Sequence, residues 1–276
     1  MIRIVTDSSA DIPKKEAAQI GVDVVDLSVR FPDLAYNQAE DPDFTRFYEL
    51  LKKTKGFPTT SQPAPADFQW IFEEAKAAGD TVVAILISKG MSGTFQSAEI
   101  ARQAVGYPDI HLIDLRAAIM PVRILVEYAL SLRAAGESVQ GLLQKVEAVR
   151  DRVKVYGLLD TLTYLHKGGR LPKTVALAGN MLDIKPIVTT KDGQIALAGR
   201  GRNASALLSR LEIDGFDPEF PVYFGYSADD TNCLKLMKQA SEQFPIRKTG
   251  MFPIGSIVGA HIGPGGNAIS FVKKEA

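Results

Sequence analysis

The chain has 276 residues, 46% of them hydrophobic, with 32 basic and 32 acidic side chains. That size and apolar content supply the core of one large domain or two ordinary ones, and the balanced charge gives no broad field to draw in nucleic acid. No stretch approaches the roughly 20 apolar residues of a membrane span, and the lone Cys233 rules out an internal disulfide, which points to a reduced, cytoplasmic setting.

The apolar start Ile2–Val5 reads as a short strand, and it stops at Thr6-Asp7, too early for a secretory signal. Asp11 is placed as an N-cap, with Pro13 in the first turn of a helix to about Ile20. Val22–Val29 is expected as the second strand and Phe44–Lys53 as a helix, because Phe44, Phe47, Leu50 and Leu51 recur at helical spacing. A proline-rich segment, Pro58 to Pro65, precedes a helix from Asp67 to about Ala78. Thr81–Ile87 is a continuous apolar run of the kind found in buried parallel strands. A helix from about Gly93 to Ala104 follows, then a strand at Ile110–Ile113. Val122, Leu125, Val126, Ala129 and Leu130 form the apolar stripe of a further helix. Strands alternating with helices predict a parallel sheet.

The second half changes character. Val153–Leu158, Ile184–Thr190, Ile195–Ala198, Val222–Tyr226, Met251–Val258 and Ala268–Val272 are strand-like, and Asp192-Gly193 marks a hairpin turn. Helices are expected about Leu162–Leu165, Leu177–Met181, Ala204–Arg210 and Thr231–Gln243. The pattern is a mixed sheet covered by helices, so two domains are expected, 1–151 and 152–276.

Three polar segments stand out as candidates for chemistry. Ser92-Gly93-Thr94 follows the Thr81–Ile87 strand and opens a helix. In open α/β sheets ligands sit at the carboxyl ends of strands, and a helix start favours anions. The same spacing also fits Ser92 as a plain N-cap, and the two roles stay open. Thr59-Thr60-Ser61-Gln62 lies in a loop between Pro58 and Pro63, which hold it extended; pattern alone favours a turn plus an N-cap before the helix at Asp67 over a set of ligand donors. His261 sits in a glycine-flanked turn, Gly259-Ala260-His261-Ile262-Gly263-Pro264-Gly265. Arg170 beside Gly168-Gly169, and Arg202 beside Gly201, offer planar forks for a carboxylate or phosphate, or are solvated surface residues. His111 and His166 are taken as structural. No clustered metal-ligand spacing, phosphate loop, dinucleotide fingerprint or nucleophile elbow occurs, so neither a metal nor a cofactor is expected.

Six motifs in order carry a resemblance: Thr6-Asp7-Ser8-Ser9-Ala10-Asp11, Thr60-Ser61-Gln62-Pro63, Ser92-Gly93-Thr94, Gly168-Gly169-Arg170-Leu171, Ile184-Lys185-Pro186-Ile187 and the glycine-flanked His261 segment. Together they resemble the DegV family of bacterial proteins over nearly the whole chain. The resemblance implies a two-domain α/β fold, with an N-terminal parallel Rossmann-like sheet, a C-terminal mixed sheet with helices, and a lipid site between the domains. It implies a non-catalytic protein that binds a long-chain fatty acid, in some members the acyl-carrying subunit of a fatty acid kinase whose catalytic subunit is a separate chain. By the same resemblance Thr60 and Ser92 hold the carboxylate together with Ser61, Gly93 and Thr94, while Arg170, Arg202 and His261 lie near the head group or face the partner. Two other readings stay open: a hydrolase or transferase with Ser92 as nucleophile and His261 as base, and a lipid-sensing regulatory protein. One stretch departs from the family pattern. In Asp114-Leu115-Arg116-Ala117-Ala118-Ile119-Met120-Pro121, bulky Ile119 and Met120 replace small residues and Pro121 replaces a glycine, which bears on acyl selectivity and on docking to a kinase.

Overall fold

The computed structural model describes residues 1–171 and 184–275; the helix expected about Leu177–Met181 lies outside the described residues. Two compact units are present, Met1–Ser28 with Ser61–Asp151, and Val29–Thr60 with Arg152–Ala276. The two-block reading assigns 29–60 to the first domain, whereas the structure groups it with the second unit. The reason is local packing. Tyr48 Oη donates to the Ile254 carbonyl at 2.7 Å, and a Cβ on Gly259 would lie 2.8 Å from the Phe47 ring. Only a residue without a side chain lets those rings approach so closely.

The chain begins β1 (Ile2–Asp7), α1 (Lys14–Ile20), β2 (Val22–Val25), β3 (Ser28–Arg30), α2 (Thr45–Lys53) and β4 (Thr59–Ser61), with β3 and β4 paired as a separate ribbon. It continues through α3 (Pro65–Ala78), β5 (Thr81–Leu86), α4 (Thr94–Val105), β6 (Ile110–Asp114), α5 (Met120–Ala134) and α6 (Val139–Arg150). The first unit's sheet has the order β2-β1-β5-β6 and is parallel throughout. Strand β5 shows why the apolar run was readable. Val82, Ala84 and Leu86 pack with Phe68 and Phe72 of α3 and Ala98 and Ala101 of α4. Val83 and Ile85, pointing the other way by the two-residue alternation of a strand, are also fully buried. A sheet covered on both faces needs apolar residues at every position.

Several local expectations change. Asp11 is not a helix N-cap; it takes a left-handed backbone at the end of the short turn Ser8–Ala10, and α1 starts after Pro13. The expected strand Val22–Val29 is two strands, β2 and β3. Helix α6 is an addition to the expected elements: its buried stripe is only Leu142, Val146 and Val149, behind a Ser138 cap.

The second unit adds β7 (Val153–Leu158), α7 (Thr163–Lys167), β8 (Lys185–Lys191), β9 (Gln194–Gly201), α8 (Leu208–Asp214), β10 (Val222–Tyr226), α9 (Thr231–Gln243), β11 (Thr249–Pro253), α10 (Ser256–Ile262) and β12 (Asn267–Val272). Its sheet runs β11-β10-β12-β7-β8-β9, mixed, with β10 and β11 parallel and the other pairs antiparallel. Asp192 and Gly193 turn the β8–β9 hairpin, both at positive φ (51° and 76°), the geometry that favours Asp-Gly. Phe224, Ile269 and Phe271 of the sheet bury against Leu208 and Leu211 of α8 and Leu236 of α9. Cys233 lies in this core, its thiol pushed up to about 12 by burial, which fits a packing role. The expected strand Met251–Val258 splits into β11 and α10, divided after Pro253.

Candidate functional site

In the first unit, the loop after β5 carries Ser92. Its backbone N–H donates to the Ser88 carbonyl at 3.1 Å. Ser92 Oγ lies 2.8 Å from Thr94 Oγ1 and accepts the Thr94 N–H at 3.3 Å. Gly93, rather than Ser92, occupies the N-cap position of α4, so the serine makes one long capping contact. Gly93 leaves room for Gln62, since a Cβ there would fall 1.8 Å from Gln62 Oε1. Gln62 in turn donates from Nε2 to the buried Ser97 Oγ at 3.1 Å. The Thr60-Ser61-Gln62-Pro63 motif is thereby fastened to α4 through its glutamine, while Ser61 stays exposed. The result is a pair of hydroxyls at the carboxyl end of a parallel strand and the start of a 12-residue helix, where unpaired N–H groups and the helix dipole favour an anion.

Thr59–Ser61 of the segment expected as a loop form strand β4, and in the second unit Thr60 Oγ1 lies 2.8 Å from His261 Nε2. His261 is in the last turn of α10 rather than in a flexible turn. Burial, and then the neighbouring Arg170 charge, lower its imidazole to about 4, so the ring is neutral at pH 7 and carries one N–H. Among the described residues its buried Nδ1 has no hydrogen-bond partner. A buried N–H without an acceptor is rarer and costlier than an idle lone pair. The proton therefore sits on Nε2, which donates to Thr60 Oγ1 and leaves the threonine hydroxyl hydrogen free to donate elsewhere.

The surroundings hold the ring in place. A Cβ on Gly168 would lie 2.2 Å from His261 Nδ1, and the Gly168 carbonyl accepts from Arg170 Nη1 at 2.7 Å. Tyr164 stands over Gly263 (φ 74°), where a Cβ would be 2.4 Å from the ring, and meets Phe57 edge-on with centroids 5.4 Å apart. Those aromatics tie the approach to Thr60 onto α7, and sequence reasoning singled out neither. Thr60, His261, Gly168 and Arg170 are brought together; Arg202 is exposed just past β9 and takes no part in these hydrogen bonds. Ser92 and His261 each have a different hydroxyl partner, Thr94 and Thr60. An imidazole lowered to about 4 is also a poor general base at neutral pH, so the nucleophile–base reading gains nothing here. Among the described residues no group of His, Cys, Asp and Glu is placed to hold a metal ion, and no helix is long and apolar enough to cross a membrane.

The sequence profile of the uncharacterised proteins of the DegV family matches residues 1–274. The chain belongs to the DegV family. It is 32% identical over 271 residues to the DegV domain-containing protein lmo2514 of Listeria monocytogenes, covering 96% of this chain and 95% of that one. Among solved structures it is similar to a fatty-acid-binding DegV family protein from Thermus thermophilus, at 30% identity, a TM-score of 0.88 and 99% coverage of both chains. It is also similar to a stearic acid-binding protein from Eubacterium ventriosum, at 27% identity, a TM-score of 0.87 and 99% coverage of both.

Proposed function

We propose that this DegV protein binds a long-chain fatty acid without catalysing a reaction on it. In this reading Thr60 and Ser92 hold the carboxylate, and a separate kinase phosphorylates it to an acyl phosphate. The observation that carries the reading is the full-length likeness to DegV relatives that bind fatty acid, at 27% and 30% identity. The two hydroxyl groups support it physically. Burying a carboxylate is strongly unfavourable without donors. Thr60 has a hydrogen to give because His261 supplies its other bond, and Ser92 sits at a helix start. Gly93, Thr94 and Ser61 complete the donor set, and Arg170, Arg202 and His261 are assigned to the head group or the partner-facing rim.

The hydrocarbon tail sets the affinity scale. Each buried methylene contributes about 0.8 kcal/mol, so removing two methylenes weakens binding roughly 15-fold. The experiment is native mass spectrometry of the purified protein, followed by a titration with saturated acids of 12, 14 and 16 carbons. Co-purified fatty acid and an affinity that climbs with length are expected. A protein that is repeatedly empty and takes up no fatty acid contradicts the reading. Reconstitution with a fatty acid kinase tests the second half: acyl phosphate is the expected product, and its absence leaves the lipid-sensing alternative.

A further inference from the structure

The carboxyl end of the first unit's sheet is organised around one carboxylate that the proposed chemistry does not use. Asp7 is the last residue of β1 and is fully buried. Its Oδ1 accepts from the Ser9 N–H at 3.0 Å and its Oδ2 from the Ile87 N–H at 2.7 Å. Ile87 is the first residue past β5. The next residue, the buried Ser88, accepts at its carbonyl from Met91 N–H at 3.0 Å and from Ser92 N–H at 3.1 Å, and donates its own N–H to the Ala117 carbonyl at 2.9 Å. The Ser9 carbonyl takes the Ile119 N–H at 3.0 Å. Strands β1 and β5 are neighbours at the point where the order β2-β1-β5-β6 reverses direction, the position at which open α/β sheets place ligands. The peptide that carries Ser92 is therefore hung from Asp7 through Ile87 and Ser88.

We infer that Asp7 is a positioning residue for fatty-acid binding, fixing the loop that aims Ser92 without touching the ligand. The inference rests on the reading of Ser92 as a carboxylate donor. A carboxylate suits the task because it presents two acceptor oxygens to two backbone donors at once. Asparagine has nearly the same shape, but it offers one oxygen and turns an NH2 group towards one of the donors.

The test is a double-mutant cycle in the full chain, with D7N, S92A and D7N/S92A, and palmitate as the probe. D7N is expected to weaken palmitate binding roughly tenfold, the scale of one buried backbone donor left without its acceptor. In the S92A background the same change should cost less than about twofold, because the two residues act through one contact. An equal loss in both backgrounds, or none in either, overturns the inference. If S92A alone leaves affinity unchanged, the reading of Ser92 has failed, and Asp7 is then judged by amide hydrogen exchange in the free protein. Faster exchange at Met91 and Ser92 in D7N, with Phe224 in the second unit unchanged, supports positioning; unaltered exchange at all three overturns it. If D7N does not fold, D7S, which keeps one acceptor, carries the same cycle.

Discussion

Replacing His261 with glutamine should remove a distinct part of the protein's acid sensitivity. Burial first, and the Arg170 charge second, lower the folded imidazole to about 4 from an ordinary value of 6.5. Between those limits the unfolded chain takes up a proton that the folded chain refuses, so stability falls as pH falls. The neutral histidine's full contribution is present above pH 6.5 and is lost on approach to pH 4. With about 1.36 kcal/mol for each tenfold in proton affinity, the wild type loses up to about 3 kcal/mol over that window through His261 alone. Urea unfolding of wild type and H261Q at several pH values from 7.5 down to 4 isolates this share, because the carboxylates titrate alike in both proteins. The wild-type curve should converge on that of the variant by about 3 kcal/mol as the pH drops. Two parallel curves would refute the assignment of a buried neutral imidazole, and with it the tautomer that frees the Thr60 hydroxyl.

Three further outcomes follow from the packing. Gly168→Ala places a Cβ 2.2 Å from His261 Nδ1, so the ring must leave Thr60; palmitate affinity should fall at least fivefold, the scale of about 1 kcal/mol, with little change in far-ultraviolet circular dichroism, and unchanged affinity would contradict the Thr60–His261 link. Ile119 sits at φ 59°, ψ −132°, a region that a β-branched residue avoids at a strain of about 1–3 kcal/mol. I119G should therefore destabilise less than I119A in urea unfolding, reversing the usual order for a buried site; the ordinary order would show that the backbone carries no strain there. Cys233, with its buried thiol, should resist thiol reagents at neutral pH until the chain unfolds, and rapid labelling of the native protein would contradict its burial.

The first unit was largely legible because its strands carry their burial in the sequence. Val82–Ile87 is apolar at every position since both faces of a parallel sheet are covered. In the second unit Asp192-Gly193 announces its hairpin through backbone conformation alone. What escaped depends on partners far along the chain. Asp7 at the end of a strand looks like the first residue of a turn, and nothing local reveals that Ile87, 80 positions on, donates to it. Thr60 and His261 are 201 residues apart, so spacing could flag each motif and not their bond. The seven residues of α10 are too few to show a helical period, and their apolar run with Met251 and Phe252 imitates a strand. The unit membership of Val29–Thr60 was hidden for the same reason, since it is decided by Phe47 and Tyr48 against Gly259. The bulky residues at 119 and 120 were visible as a departure from the family pattern, whereas the strained backbone at Ile119 appears only in the structure.

The central claim is that two hydroxyls, Thr60 and Ser92, grip the carboxylate of a fatty acid. The direct measurement is the affinity of the double variant T60A/S92A for palmitate, beside its affinity for palmitoyl methyl ester, which keeps the tail and lacks the charge. The account predicts a loss of at least 30-fold for palmitate, about 2 kcal/mol or more, and a nearly unchanged affinity for the ester. Equal affinities of variant and wild type for palmitate would contradict it.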